Sequence, residues 1–182
     1  MLETEHQLLE AVGSGDRQAM RRLYDRYAGY AMATGLRYIG ESEAVRDVVQ
    51  ESFIKVFTTI GRFRYRGEGS LKAWINRIVA NQAIDYLQER HRVTFVSDLP
   101  LEAEDEEPNV EHIPHDVLMR LIGQLPTGYR MVLNLYVFEQ LSHRDIAQRL
   151  GIREATSASQ YNRAKACLAR LLKNYLKEQE KT

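Results

Sequence analysis

A single cysteine, Cys167, leaves this 182-residue chain without an internal disulfide, and its place on the apolar side of a helical stripe marks it as a buried structural thiol. No membrane helix is visible. The opening MLETEHQLLEAVGSGD is acidic and has neither the basic start nor the apolar run of a secretory signal, so the protein is expected in the cytoplasm. Strand-like alternation is essentially missing and no motif repeats. There is also no constellation of carboxylates, metal ligands or an activated nucleophile, which argues against an enzyme, a cofactor or a small-molecule substrate. His112 and His115 are the nearest thing to a metal pair, but they lie in a proline-containing acidic stretch without soft ligands, and no zinc is expected there.

Net charge is zero, yet its distribution is uneven. Residues 1–92 carry 14 Lys/Arg and 12 Asp/Glu, residues 93–119 carry none and 8, and residues 120–182 carry 11 and 5. The acidic middle holds three of the four prolines, Pro100, Pro108 and Pro114. It lacks a sustained apolar period and marks a flexible linker over 93–115, between domains at 1–92 and 116–182. With 44% apolar residues, each flank has enough material for a helical core. The expected fold class is all-α, two small helical domains joined by that acidic linker. Asp16, after the Gly13-Ser-Gly break, should cap a long helix, Gly40-Glu-Ser42 should turn the chain, and Gly61 with Gly67-Glu-Gly69 should bracket a loop.

The stretch DVVQESFIKVF, residues 47–57, is the most informative. On a wheel of about 100° per residue, Val45, Val48, Val49, Ser52, Phe53, Val56, Phe57 and Ile60 fill one side. Asp47, Gln50, Glu51, Ile54 and Thr58 cluster opposite. An isoleucine framed by Asp47, Gln50 and Glu51 fits either a contact surface for another macromolecule or a solvated face with one stray apolar residue.

The bracketed loop, Arg62-Phe63-Arg64-Tyr65-Arg66, alternates guanidinium and aromatic groups beside glycines. Such a loop suits single-stranded nucleic acid, with phosphates on the cations and bases on the rings. Equally, Phe63 and Tyr65 can pin the loop to the core. Ser70 is expected to cap the next helix, whose apolar side includes Leu71, Trp74, Ile75, Ile78, Ala83 and Leu87. Lys72, Arg77 and Asn81 give it polar reach, Asn being suited to base edges because its amide both donates and accepts.

Residues 141–152, LSHRDIAQRLGI, read as the first half of a helix-turn-helix. Ser142 and Asp145 form a capping-box pattern, Ile146, Ala147 and Leu150 face inward, and Gly151 makes the turn. Ala147 and Gly151, four apart, are expected to let two helices pack closely. A second helix from about Glu154 turns Tyr161, Ala164, Leu168, Leu171, Leu172 and Tyr175 inward, leaving Thr156, Ser159, Asn162, Arg163 and Lys165 for a DNA groove. A structural helix pair without DNA contact is the alternative.

Taken in order, GDRQAMRRLYDRY, DVVQESFIKVF, SLKAWINRIVANQAIDYL, LPTGYRMVLNLYVFEQLSHRDIAQRLGI and TSASQYNRAKACLARLL resemble the bacterial extracytoplasmic-function sigma factors of the sigma-70 family. The resemblance runs from about Asp16 to Leu172. It implies a promoter-specificity subunit that binds core RNA polymerase and promoter DNA, helps open the duplex, and is masked by a cognate anti-sigma factor. Asp47, Gln50, Glu51, Phe53 and Ile54 match the segment that grips the polymerase clamp. Phe63, Arg64 and Tyr65 match the loop that captures a flipped non-template base of the minus-ten element, Asn81 a residue that helps read it, and Lys72 and Arg77 backbone contacts. Ser159, Arg163 and Lys165 match recognition-helix positions for the minus-thirty-five element, with His143 and Arg144 at its edge. Family members often carry Gly-Thr-Val-Lys-Ser-Arg where this chain has Ala155-Thr-Ser-Ala-Ser-Gln160, so two cationic positions are Ala158 and Gln160 here. That change predicts a weaker or altered upstream grip.

Two other classes compete. A conventional regulator with a helix-turn-helix output would not need DVVQESF or the RFRYR loop. A nucleic-acid-processing enzyme would need a reactive constellation that the sequence lacks.

Overall fold

The computed structural model describes residues 4–90, 93, 95 and 113–179. Among them every regular element is helical, as the missing strand alternation predicts. The chain divides into two compact units between Arg90 and His91. The expected acidic linker, with Pro100, Pro108 and His112, lies almost entirely outside the described residues.

The N-terminal unit holds α1 (Glu5–Gly13), α2 (Arg17–Ile39), α3 (Ser42–Thr59) and α4 (Ser70–Arg90). Asp16 caps α2 as its position predicts, its carboxylate accepting from the Gln18 and Ala19 N–H groups at 2.7 and 3.2 Å. Gly40 ends α2 in the left-handed conformation, its N–H donating to the Leu36 carbonyl. α2, α3 and α4 pack mutually around Leu23, Tyr27, Ala31, Val45, Val49, Phe53, Leu71 and Ile75. Gly61 sits in a short 3-10 turn, Ile60–Arg62, so the open loop begins later than its glycines suggest.

The C-terminal unit holds α5 (His115–Gly123), α6 (Thr127–Val137), α7 (His143–Leu150) and α8 (Glu154–Gln179), with α8 packed on the other three. Arg130 is buried and donates to the Gly123 and Leu125 carbonyls, so a cation meets the carbonyls at the end of α5. Burial lowers its pKa, but a guanidinium keeps its charge in this setting.

Gly35 of α2 lies directly against Val45 of α3. A Cβ built there would lie 2.6 Å from Val45 Cγ1, inside a fully packed core. Gly35→Ala should therefore cost about 1–2 kcal/mol, the overpacking penalty outweighing alanine's gain in helix propensity. Urea denaturation of Gly35→Ala, Val45→Ala and the double variant checks this, with favourable coupling expected in the double.

Candidate functional site

On α3 the two faces sort as the wheel predicts. Val45, Val48, Val49, Ser52, Phe53 and Val56 are buried, Phe57 is half-buried, and Asp47, Gln50, Glu51 and Thr58 are exposed. Ser52, the one polar member of the covered face, donates from Oγ to the Val48 carbonyl at 2.6 Å and so carries no unmet hydrogen bond inward. Ile54 is 65% exposed, the most exposed of the large apolar side chains among the described residues. Phe53 must be corrected: at 3% exposure its ring packs between Tyr24, 4.7 Å away, and Phe57, 6.0 Å away. The ring lies beneath the outward face of α3 instead of on it.

The alternation in the RFRYR loop separates inside from outside. Arg62, Arg64 and Arg66 are exposed, whereas Phe63 and Tyr65 are half-buried. The Phe63 ring lies 4.9 Å from Trp74. Tyr65 meets His6 edge-on at 5.2 Å, and its hydroxyl donates to Glu68 at 3.3 Å. Partial desolvation and then that carboxylate raise the Tyr65 pKa. Glu68 in turn pairs with Arg26 at 3.1 Å. Along α4, Lys72 sits 3.5 Å from the centroid of the exposed Tyr30 ring, Arg77 is exposed and Asn81 half-buried.

Ser70 does not cap α4 in the expected way. Its hydroxyl donates to the Gly67 carbonyl at 2.6 Å and accepts from the Arg66 N–H at 3.2 Å, bracing the loop. The cap comes from Glu5, which no pattern along the chain marks. Glu5 is 2% exposed. Its Oε2 accepts from the Gly69 N–H at 2.8 Å and the Leu71 N–H at 3.4 Å, and its Oε1 accepts from the Tyr27 hydroxyl at 2.8 Å.

In the helix-turn-helix, Ser142 caps α7 by accepting from the Asp145 N–H at 3.2 Å. The expected box is not completed through the backbone: Asp145 Oδ2 accepts from the Ser142 hydroxyl at 2.6 Å. Gly151 is required for its φ of +69°; a Cβ there would meet nothing within 4 Å, so the expected close packing at this residue is absent. His143 Nδ1 lies 3.0 Å from Ser157 Oγ, tying α7 to α8. Its ring stacks on Tyr136 at 4.6 Å, and Tyr161 completes a cluster 4.4 Å from Tyr136.

Of the groove residues, Arg144, Asn162 and Lys165 are exposed, and His143, Thr156 and Ser159 half-buried. Arg163 departs from expectation at 7% exposure, and Gln160, one of the two lost cationic positions, is fully buried. Three helices cover α8, so its shielded side is wider than the apolar stripe and takes in residues one turn apart on the flank. Ala158, at the other lost position, is only half-buried. Cys167 is half-buried against the Ile122, Leu125 and Leu133 cluster, not fully enclosed.

Comparison with known proteins supplies the family. The model for Sigma-70 region 2 matches residues 23–93 and that for Sigma-70, region 4 matches residues 115–168. The RNA polymerase sigma-H factor of Pseudomonas aeruginosa is 31% identical, with 97% of each chain covered. The ECF RNA polymerase sigma-E factor of Escherichia coli K12 is 31% identical over 91% of this chain and 92% of that protein. The chain belongs to the sigma-70 family, in its extracytoplasmic-function branch. This sigma factor also shares its fold with the sigma factor RpoE of Bartonella quintana, solved with the anti-sigma factor NepR, at a TM-score of 0.52 and 20% identity over 84% of this chain and 96% of that one. No helix among the described residues of the sigma factor is long and apolar enough to cross a membrane.

Two neighbours on α3 should separate stability from surface. Phe53→Ala should cost about 3–5 kcal/mol and Ile54→Ala within about 0.5 kcal/mol, read by urea denaturation. The Tyr27 phenol is raised above its ordinary range, first by desolvation and then by the Glu5 carboxylate. Because the folded value lies above the unfolded one, the stability it carries is complete below about pH 10 and declines as pH rises further. Tyrosinate absorbance should show a late-ionising component that is lost in Tyr27→Phe.

Proposed function

We propose that this RNA polymerase sigma factor binds core polymerase through the outward face of α3, with Asp47, Gln50, Glu51 and Ile54 as contacts. Residues 1–92 serve as region 2 and residues 116–182 as region 4, joined across 93–115. The Phe63–Tyr65 loop takes an unstacked non-template base of the minus-ten element, Asn81 helps read it, and Lys72 and Arg77 hold the adjoining backbone. At the minus-thirty-five element the contacts come from Arg144 and His143 and from Thr156, Ser159, Asn162 and Lys165 on α8. Opening is driven by binding energy, with bases held once they leave the stack, and needs no reaction catalysed by the protein itself. It works in the cytoplasm, where a cognate anti-sigma factor covers the α3 face while polymerase is absent.

The observation that carries this reading is the two-faced α3. One side is packed solid, and the other presents Ile54, 65% exposed, within a frame of Asp47, Gln50 and Glu51. An apolar residue ringed by polar groups is how a protein contact is centred.

In vitro transcription with core polymerase is the direct test: factor-dependent initiation is expected, and duplex binding without initiation would favour a conventional regulator. Combined Asp47→Ala, Gln50→Ala and Ile54→Ala should weaken core binding by about tenfold or more with helical content intact. On the DNA side, Lys165→Ala should lower the logarithmic salt slope of upstream-element binding by about one unit or slightly less, and Ala158→Lys should raise it comparably. Arg163→Ala, being buried, should register in stability instead. Fluorescence anisotropy across a salt series reads the first two, and urea denaturation the third.

A further inference from the structure

Glu5 brings together two requirements that the chain cannot meet locally. A buried carboxylate needs donors, and the first turn of a helix has N–H groups without intrahelical partners. Gly69 stands immediately before α4, its carbonyl accepting from the Ala73 N–H at 3.0 Å, and has no side chain with which to cap. The Glu5 carboxylate fills that place from 64 residues away along the chain, as an anion at the positive end of α4. Its other oxygen is held by the Tyr27 hydroxyl.

The neighbours of both residues grip the same loop. His6, next to Glu5, packs against Tyr65. Arg26, next to Tyr27, pairs with Glu68. Gly67 and Gly69 have φ of +114° and +89°, backbone states that leave the segment many alternatives once its anchors are released. The loop is thus fixed at one end by Phe63 on Trp74 and at the other by α1 and α2.

We infer that Glu5 is a positioning residue for promoter opening: through Gly69 and Tyr27 it fixes the start of α4 and holds the Phe63–Tyr65 loop in the arrangement that receives unstacked bases. The inference rests on the minus-ten assignment of that loop. Releasing the carboxylate lowers the fraction of loops competent to bind, and apparent affinity for single-stranded DNA falls by that fraction.

Trp74 is the only tryptophan, and it touches Phe63, so its fluorescence reports loop position without DNA. The full-length variants Glu5→Gln, Tyr27→Phe and Phe63→Ala should be compared for acrylamide quenching of Trp74. As holoenzymes they should then be compared for core affinity and for affinity toward a single-stranded non-template oligonucleotide spanning the minus-ten element. Glu5→Gln should raise quenching and lower oligonucleotide affinity about tenfold, as for a competent fraction of roughly a tenth, with core affinity unchanged. Tyr27→Phe should act in the same direction, more weakly, and keeps both backbone bonds should Glu5→Gln fold poorly. Unchanged quenching, changed quenching with unchanged oligonucleotide affinity, or equal losses of core and oligonucleotide affinity would each overturn the inference. If Phe63→Ala lowers oligonucleotide affinity and the Glu5 and Tyr27 variants do not, this inference falls and the loop assignment stands. If none of them matters, both fall. An effect of Glu5→Gln without one of Phe63→Ala also overturns it, since the carboxylate would then be acting elsewhere.

Discussion

α3 is packed against both α2 and α4, and that packing decides which of its side chains face outward. Val45 closes onto Gly35 of α2, and Phe53 is enclosed by Tyr24 and Phe57. A helix so held cannot roll about its axis without opening its core, so Asp47, Gln50, Glu51 and Ile54 are aimed by burial on the far side. The same core supplies the wall beneath the 63–69 loop, because Trp74 and Phe63 pack on its edge.

The helix-turn-helix is oriented by a different device. Polar and aromatic contacts fix α7 on α8: His143 with Ser157, and the Tyr136, His143 and Tyr161 rings. These groups sit where the two helices meet, so residues at the start of α7 contribute to geometry as well as to any contact they make with DNA. The Arg130 guanidinium does a similar service at the end of α5, meeting carbonyls that a helix end leaves unpaired.

What could be read from the sequence follows from how local each cause is. The buried stripe of α3 was legible because burial there repeats with the helical period and one side meets both neighbours. The Asp16, Gly40 and Ser142 caps were legible because the capped groups lie within a few residues. The burial of Arg163 and Gln160 was not legible because the width of the covered side of α8 depends on three other helices, which no pattern along α8 encodes. Phe53 was drawn to the surface by its motif although its wheel position put it inside, and packing decided the matter. Glu5 left no signal at all: an acidic residue near the start of a helix is ordinary, and the groups it satisfies are remote in sequence.

Lys72 illustrates how a cation can be occupied by an aromatic face of its own chain. Its ammonium rests 3.5 Å from the centroid of Tyr30, an arrangement worth about 0.5–1 kcal/mol at an exposed site. An anion approaching this side of α4 would have to displace that contact instead of simply neutralising a solvated cation. One ring on α2 thus sets a threshold for a cation on α4, which gives up an aromatic face before it pairs with any anion.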